Sequence, residues 1–290
     1  MFPDQETAKK PSVGEGRKKR FPYRRGAVSG VLGLALAYFF FPGGQALAQD
    51  ETPEEKGLRL ALEANASNEG FGDFTAGLTM VLRDRQGRES IRQMRFKVLE
   101  VPGDGDKSLF VFDQPRDVQG TALLTHVHAN TQDDQWLYLP ALERVKRISA
   151  STRSGSFMGS EFSYEDMSAP EVEEYTYRYL RDEPCGELTC TVTEQFPLDE
   201  KSGYSRKIIW QDTGDLRTWK MELYDRRDAH LKTLTFADYE LYLDRYWRAG
   251  EQTMVNHLTG ASTVLNWTDF QFGTGLEDGE FTQTALRRVR

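Results

Sequence analysis

The sequence predicts a mainly β protein built on one large, twisted antiparallel sheet with few helices. Three observations carry this. Apolar and polar residues alternate with period two from Phe74 to Trp267. Turn signals interrupt the alternation at 85–88, 102–106, 185–188, 212–215 and 225–230, the spacing of consecutive hairpins. Only residues 54–67 carry helical spacing. A sheet of this length must curl or split to bury its apolar face, and a partly open barrel with a helix against its concave side is one outcome.

Residues 1–48 read as a signal peptide. Residues 17–25, "RKKRFPYRR", are basic; 26–41, "GAVSGVLGLALAYFFF", are apolar; "ALA" at 46–48 gives an A-x-A cleavage site between Ala48 and Gln49. A helix over the apolar run spans roughly 24 Å, short of the ~30 Å hydrocarbon core, so a cleaved leader is expected rather than an anchor. The only cysteines are Cys185 and Cys190, so no cysteine follows the apolar run to carry a lipid. The expected product is a soluble periplasmic protein of one domain, 49–290.

Cleavage changes the charge. Lys+Arg falls from 37 by 8 to 29 and Asp+Glu from 45 by 3 to 42, so the net charge moves from −8 to −13. Such a chain repels nucleic acid and anionic headgroups as a whole, and any membrane contact must be local.

Pro53 stands before the predicted helix, in which Leu58, Ala61 and Leu62 form the apolar face. Strands follow. Phe74, Ala76, Leu78, Met80 and Leu82 alternate on the first, and Met94, Phe96 and Val98 on the next. Later runs are Tyr175/Tyr177/Tyr179, Trp219/Met221/Leu223 and Thr263/Leu265/Trp267. Cys185 and Cys190, with Gly186 between them, suit a disulfide across a short hairpin in an oxidising compartment. The long non-alternating stretches are 113–121 and 149–172.

No catalytic constellation stands out, and no enzyme activity, cofactor or metal is expected. His126 and His128 share a strand face but supply only two ligands. Gly155-Ser156-Phe157-Met158-Gly159 misplaces the serine of a nucleophile elbow and lacks the lysine of a phosphate-binding loop.

The segment 133–167 is unusual. It opens as a strand with Trp136 and Tyr138 on one side, turns basic at Arg144, Lys146, Arg147 and Arg153, and ends in a Gly/Ser run holding Phe157 and Met158. "DDQWLYLPALERVKRIS" and "SGSFMGSEFSYEDM", preceded by "FDQPRDVQGTALL" at 112–124, resemble the outer-membrane lipoprotein-sorting family, the broad LolA-like group. The similarity is closer to the subgroup found beside RND/MMPL-type lipid exporters, and it runs from about residue 54 to about residue 272.

The resemblance implies an incomplete, strongly curved antiparallel barrel with helices lidding its mouth. It also implies a periplasmic carrier that hides the acyl chains of a lipoprotein or a free lipid in the hollow, with an RND/MMPL-type inner-membrane transporter as a partner. An adaptor of such an exporter, without lipid cargo, is the alternative. Expected ligand-wall residues are Met80, Leu82, Phe96, Val98, Trp136, Tyr138, Phe157 and Met158, with plain core packing as the competing role for each. Arg144, Lys146, Arg147 and Arg153 form either a stripe for a lipid phosphate or an acidic partner, or a solvated strand face. The Gly/Ser run is either a mobile flap closed by Phe157 and Met158 or a fixed loop plugged into the core by Phe157.

Overall fold

The structure is a computed structural model that describes residues 51–129 and 131–289. The expected signal peptide lies outside the described residues.

The chain enters through helix α1 (Pro53–Asn68). Thr52 and Glu55 start it reciprocally: the Glu55 amide donates to the Thr52 hydroxyl at 3.2 Å, and the Thr52 amide donates to the Glu55 carboxylate at 2.9 Å. The helix is where the sequence puts it, but it turns a different face to the sheet. Leu58 and Leu62 are 44% and 47% exposed, whereas Gly57 is buried. A Cβ on Gly57 would lie 2.8–2.9 Å from the backbone of Arg178, so the missing side chain lets the helix rest directly on a strand. That contact, not the leucine pair, sets the rotation of α1.

Six strands follow: β1 (Asp73–Arg83), β2 (Glu89–Leu99), β3 (Lys107–Gln114), β4 (Ala122–His126), β5 (Asp134–Leu139) and β6 (Arg144–Ile148). After a long connection come β7 (Tyr175–Cys185), β8 (Leu188–Pro197), β9 (Tyr204–Asp212), β10 (Thr218–Asp225), β11 (His230–Tyr242), β12 (Tyr246–Asn256) and β13 (Ser262–Phe272). Among the described residues these 13 strands form one antiparallel sheet in the order β6-β5-β4-β3-β2-β1-β13-β12-β11-β10-β9-β8-β7. The first and last strands pair in the middle, so β6 and β7, neighbours in sequence, become the two open edges. The sheet curves without closing.

This topology explains residues 149–174. They join the two edges and must cross the concave face. Phe157, Phe162 and Met167 therefore pack with the inward-facing Met80, Phe110, Phe112, Leu223 and Leu265. A buried polar network fixes the crossing. Asp166 accepts from the Ser163 amide and hydroxyl at 2.7 Å and from the Tyr204 hydroxyl at 2.8 Å. Lys232 donates to the Tyr204 hydroxyl at 2.9 Å.

On the convex side, Leu109, Val111, Ala122, Leu124 and Tyr138 are covered by the C-terminal segment, through Phe281 and Leu286 of the short helix α2 (Gln283–Leu286) and its approach. Cys185 and Cys190 are bonded across the β7–β8 hairpin. Gly186 turns that hairpin with φ +66°, a conformation that favours glycine. One alternation misleads: a bulge between Thr218 and Lys220 sends Trp219 outward to Trp210, while Met221 and Leu223 stay inward.

Candidate ligand-binding hollow

The crossing segment fills only part of the concavity. Between α1, β1–β2 and β7–β12 an open hollow of about 1330 Å³ remains, larger than the ~300–1,000 Å³ of ordinary small-molecule clefts. Alternation on strongly curved strands builds its wall: Phe74, Phe96 and Val98 on one side, Ile209, Met221, Leu223, Leu234 and Phe236 on the other. Leu60, Ala61 and Ala64 of α1 close it from the side, and Phe162 contributes from the crossing segment.

Of the residues singled out in the sequence, Phe96 and Val98 line this hollow. Met80 and Phe157 are fully buried at the filled end, with Leu82 and Met158 packed partly buried against the same cluster. Phe157 takes the plug position. Trp136 and Tyr138 do face the same side, as expected, but it is the convex one. They oppose Leu124 and Ala122 and lie under the C-terminal segment. Period two shows that two residues share a face and cannot show which face is concave.

The four cations do not make one stripe. Arg147 opposes Trp136 and pairs with Asp134, whereas Lys146 and Arg144 oppose Leu137 and Leu139 on the other face. Arg153 is 8% exposed and forms an internal ion pair with Asp133 at 3.0 Å. A five-residue edge strand alternates like any other, which splits its charges between faces.

The hollow also has polar groups that the sequence did not single out. Near its mouth, burial pushes the Asp106 carboxyl up to about 6, with Glu100 adding to it. Burial, then the Asp106 charge, pushes Glu171 to about 7. Arg248 donates from Nη1 to Asn68 Oδ1 at 2.7 Å and to the Trp247 carbonyl at 3.0 Å. Its guanidinium stands 5.4–5.7 Å from the ring centres of Phe71, Phe74, Tyr246 and Phe272. Burial lowers it to about 10, so it stays protonated at neutral pH. Deeper in, Lys207 donates to the Tyr175 hydroxyl at 3.0 Å. Burial alone would lower its pKa, but Tyr175, Glu165 and Asp166 outweigh that and raise it. The signal for these groups is weak, because they come together from distant strands and loops.

The raised acids predict a pH dependence. When the folded-state pKa of a carboxyl exceeds its unfolded value, folding carries no penalty below the unfolded value and loses stability as pH rises through the folded one. For Asp106 and Glu171 the loss runs from about pH 4 to about pH 7. It is on the order of 1–2 kcal/mol each after solvent screening. Urea unfolding should show lower stability at pH 8 than at pH 5, and Asp106→Asn with Glu171→Gln should flatten the difference. A difference that persists in the double variant places its cause elsewhere.

Among the described residues no helix is long and apolar enough to cross a membrane. No curated protein matches the chain. A family model described as an uncharacterized protein matches residues 104–288. Among solved structures, a domain from Vibrio parahaemolyticus named for outer-membrane lipoprotein sorting is 54% identical, with a TM-score of 0.80 over 81% of this chain and 100% of that one. A DUF1329 family protein from Desulfovibrio piger is 30% identical, with a TM-score of 0.77 over 81% and 99%. A LolA superfamily protein from Nitrosomonas europaea, at 19% identity and a TM-score of 0.64 over 79% and 98%, shares the fold. The chain therefore belongs to the family of outer-membrane lipoprotein-sorting and DUF1329 proteins, whose fold is LolA-like.

Proposed function

We propose that the protein is a periplasmic carrier that shelters the acyl chains of a lipoprotein or of a free lipid in this hollow, for transfer between envelope membranes. The observation that carries the reading is the unfilled, apolar-walled part of the concavity. The hollow is open to water, and apolar surface held against water is unfavourable by roughly 25 cal/mol per Å² relative to burial. An acyl chain laid on that wall covers it and leaves water, at roughly 0.8 kcal/mol per CH2. The family's fold supports the reading, since curved strands and a side helix need no catalytic group to do this work.

A second reading has one observation in its favour. Leu58 and Leu62 present an apolar pair on the outer face of α1, which fits an adaptor that docks on an RND/MMPL-type inner-membrane transporter and carries no lipid. Native mass spectrometry of protein purified without detergent from a periplasmic extract separates the two. The carrier reading expects a discrete added mass that organic solvent removes and that fragments as a lipid. An unliganded mass, with no uptake of a fluorescent fatty acid on titration, sinks the carrier and leaves the adaptor.

A further inference from the structure

We infer that Arg248 makes the mouth of the hollow a binding site for an anionic headgroup, so that the ligand is an amphiphile with a carboxylate or phosphate beside its acyl chain. The inference rests on the carrier reading and narrows it.

The cations that line the hollow are not equivalent: Lys201 and Arg245 are exposed, and Arg245 donates to the Ala66 carbonyl at 3.4 Å. Arg217 is neutralised by Asp212 at 2.9 Å and Asp215 at 3.2 Å. Arg153 is held by Asp133 at 3.0 Å. Lys207 bonds Tyr175 and lies in the field of Glu165 and Asp166. Arg248 has no carboxylate within ion-pair distance among the described residues. Its hydrogen bonds go to a side-chain amide and a backbone carbonyl, both neutral. Four aromatic rings surround it and fix the plane of its fork. A guanidinium has five N–H donors; Arg248 is half-buried and both of its hydrogen bonds leave from Nη1, so its other donors can meet an incoming anion.

The acids nearby are otherwise occupied. Glu100 accepts from the amides of Gly70 and Gly72 at 2.5 and 2.7 Å. Glu69 accepts from Asn65 at 2.7 Å, and the cross-strand Glu240 accepts from Tyr242 at 2.6 Å. Burial raises Asp106 to about 6 and Glu171 to about 7, so near neutral pH Asp106 is largely ionised and lies in the field of Arg248 beyond ion-pair distance, while Glu171 is about half protonated. At the mouth the Arg248 guanidinium, among its four rings, stands above a wall of Phe74, Phe96 and Val98, with the exposed Arg245 as a second cation. A single-chain anionic lipid meets both requirements, with its chain on the wall and two headgroup oxygens on the guanidinium. A triacylated lipoprotein N-terminus supplies chains without that anion.

The test compares three probes that share one oleoyl-type chain: oleate, lysophosphatidic acid and oleyl alcohol. Each is titrated into the full chain, expressed with its own N-terminus and kept free of detergent. Oleate or lysophosphatidic acid should bind about ten- to a hundredfold tighter than the alcohol. Preference for oleate alone identifies a carboxylate, preference for lysophosphatidic acid alone a phosphate, and preference for both a site that reads only the negative charge. Arg248→Gln should bring the anions down to the affinity of the alcohol while leaving the alcohol unchanged. Arg248→Lys keeps the charge and loses the fork, so it should retain part of the preference. Should the glutamine variant fail to fold, the wild-type comparison and the lysine variant still decide. Equal binding of all three probes overturns the headgroup site and leaves the carrier standing, whereas binding of none overturns both.

Discussion

Phe157→Ala should destabilise the fold by about 3–5 kcal/mol, the range for emptying a buried aromatic site. Phe157 has no exposed surface and stands 5.7 Å from the Phe112 ring, 5.6 Å from Tyr164 and 6.3 Å from Phe110. Its backbone is equally committed. The Phe157 amide donates to the Phe162 carbonyl at 2.7 Å, and the Phe157 carbonyl accepts from the Ser160 amide at 2.9 Å. The next carbonyl, Met158, accepts from Arg92 at 2.5 Å. Farther along, the Glu161 amide donates to Thr263 at 2.9 Å and its carboxylate accepts from Asn256 at 2.6 Å. The segment is thus tied to β2, β12 and β13, and the surroundings cannot collapse easily into the space a ring would leave. Urea unfolding gives the number directly. A loss under about 1 kcal/mol, together with a large drop in lipid affinity, would restore the flap that the glycines suggest. The structural expectation is the reverse, because Phe157 packs at the filled end and does not line the hollow.

How much of this was legible in the sequence depends on whether the signal was local. Alternation located the strands, Pro53 and the spacing behind it located α1, and the Cys185–Cys190 spacing located a hairpin staple, because each depends on residues close in the chain. The pairing of β1 with β13 is not local. It makes β6 and β7 the edges and forces residues 149–174 across the concave face. The Gly/Ser composition of that segment suggested movement, and topology made it a plug. The Trp136/Tyr138 pair was correctly assigned to one face. The covering C-terminal segment that makes this an outer core contributes through single residues, Phe281 and Leu286, with no periodic signature. The hollow is the hardest feature to read. Phe236 and Leu82 both alternate as inward residues packed partly buried against the same cluster, yet Phe236 lines the hollow and Leu82 does not. Only the path of the crossing segment separates a wall from a core.

The lid gives the other large effect. Gly57→Leu should speed the release of a bound fatty acid roughly 30- to 100-fold while leaving α1 helical. The opposing terms can be separated. Leucine is a better helix former than glycine by about 0.8 kcal/mol, so the helix itself gains. Docking loses, because even a Cβ would come within 2.9 Å of Arg178 N, Cα and C, and those atoms belong to the ladder between β7 and β8. A flexible side chain could move aside, but a paired strand cannot shift without breaking its register. The helix must therefore lift, and with it the contact of Lys56 Nζ over the Tyr179 ring at 3.4 Å. Leu60, Ala61 and Ala64 then withdraw from the hollow. Re-exposing on the order of 100 Å² of apolar surface corresponds to ~2.5 kcal/mol, which sets the expected rate change. Stopped-flow release of a fluorescent fatty acid reads the effect, and far-ultraviolet circular dichroism confirms that the helix persists. Gly57→Ala, which adds only the Cβ, should fall between the two. Unchanged release from a leucine variant whose helix has demonstrably lifted would mean that α1 does not gate the hollow, and that its exposed Leu58 and Leu62 are the part of the helix to pursue.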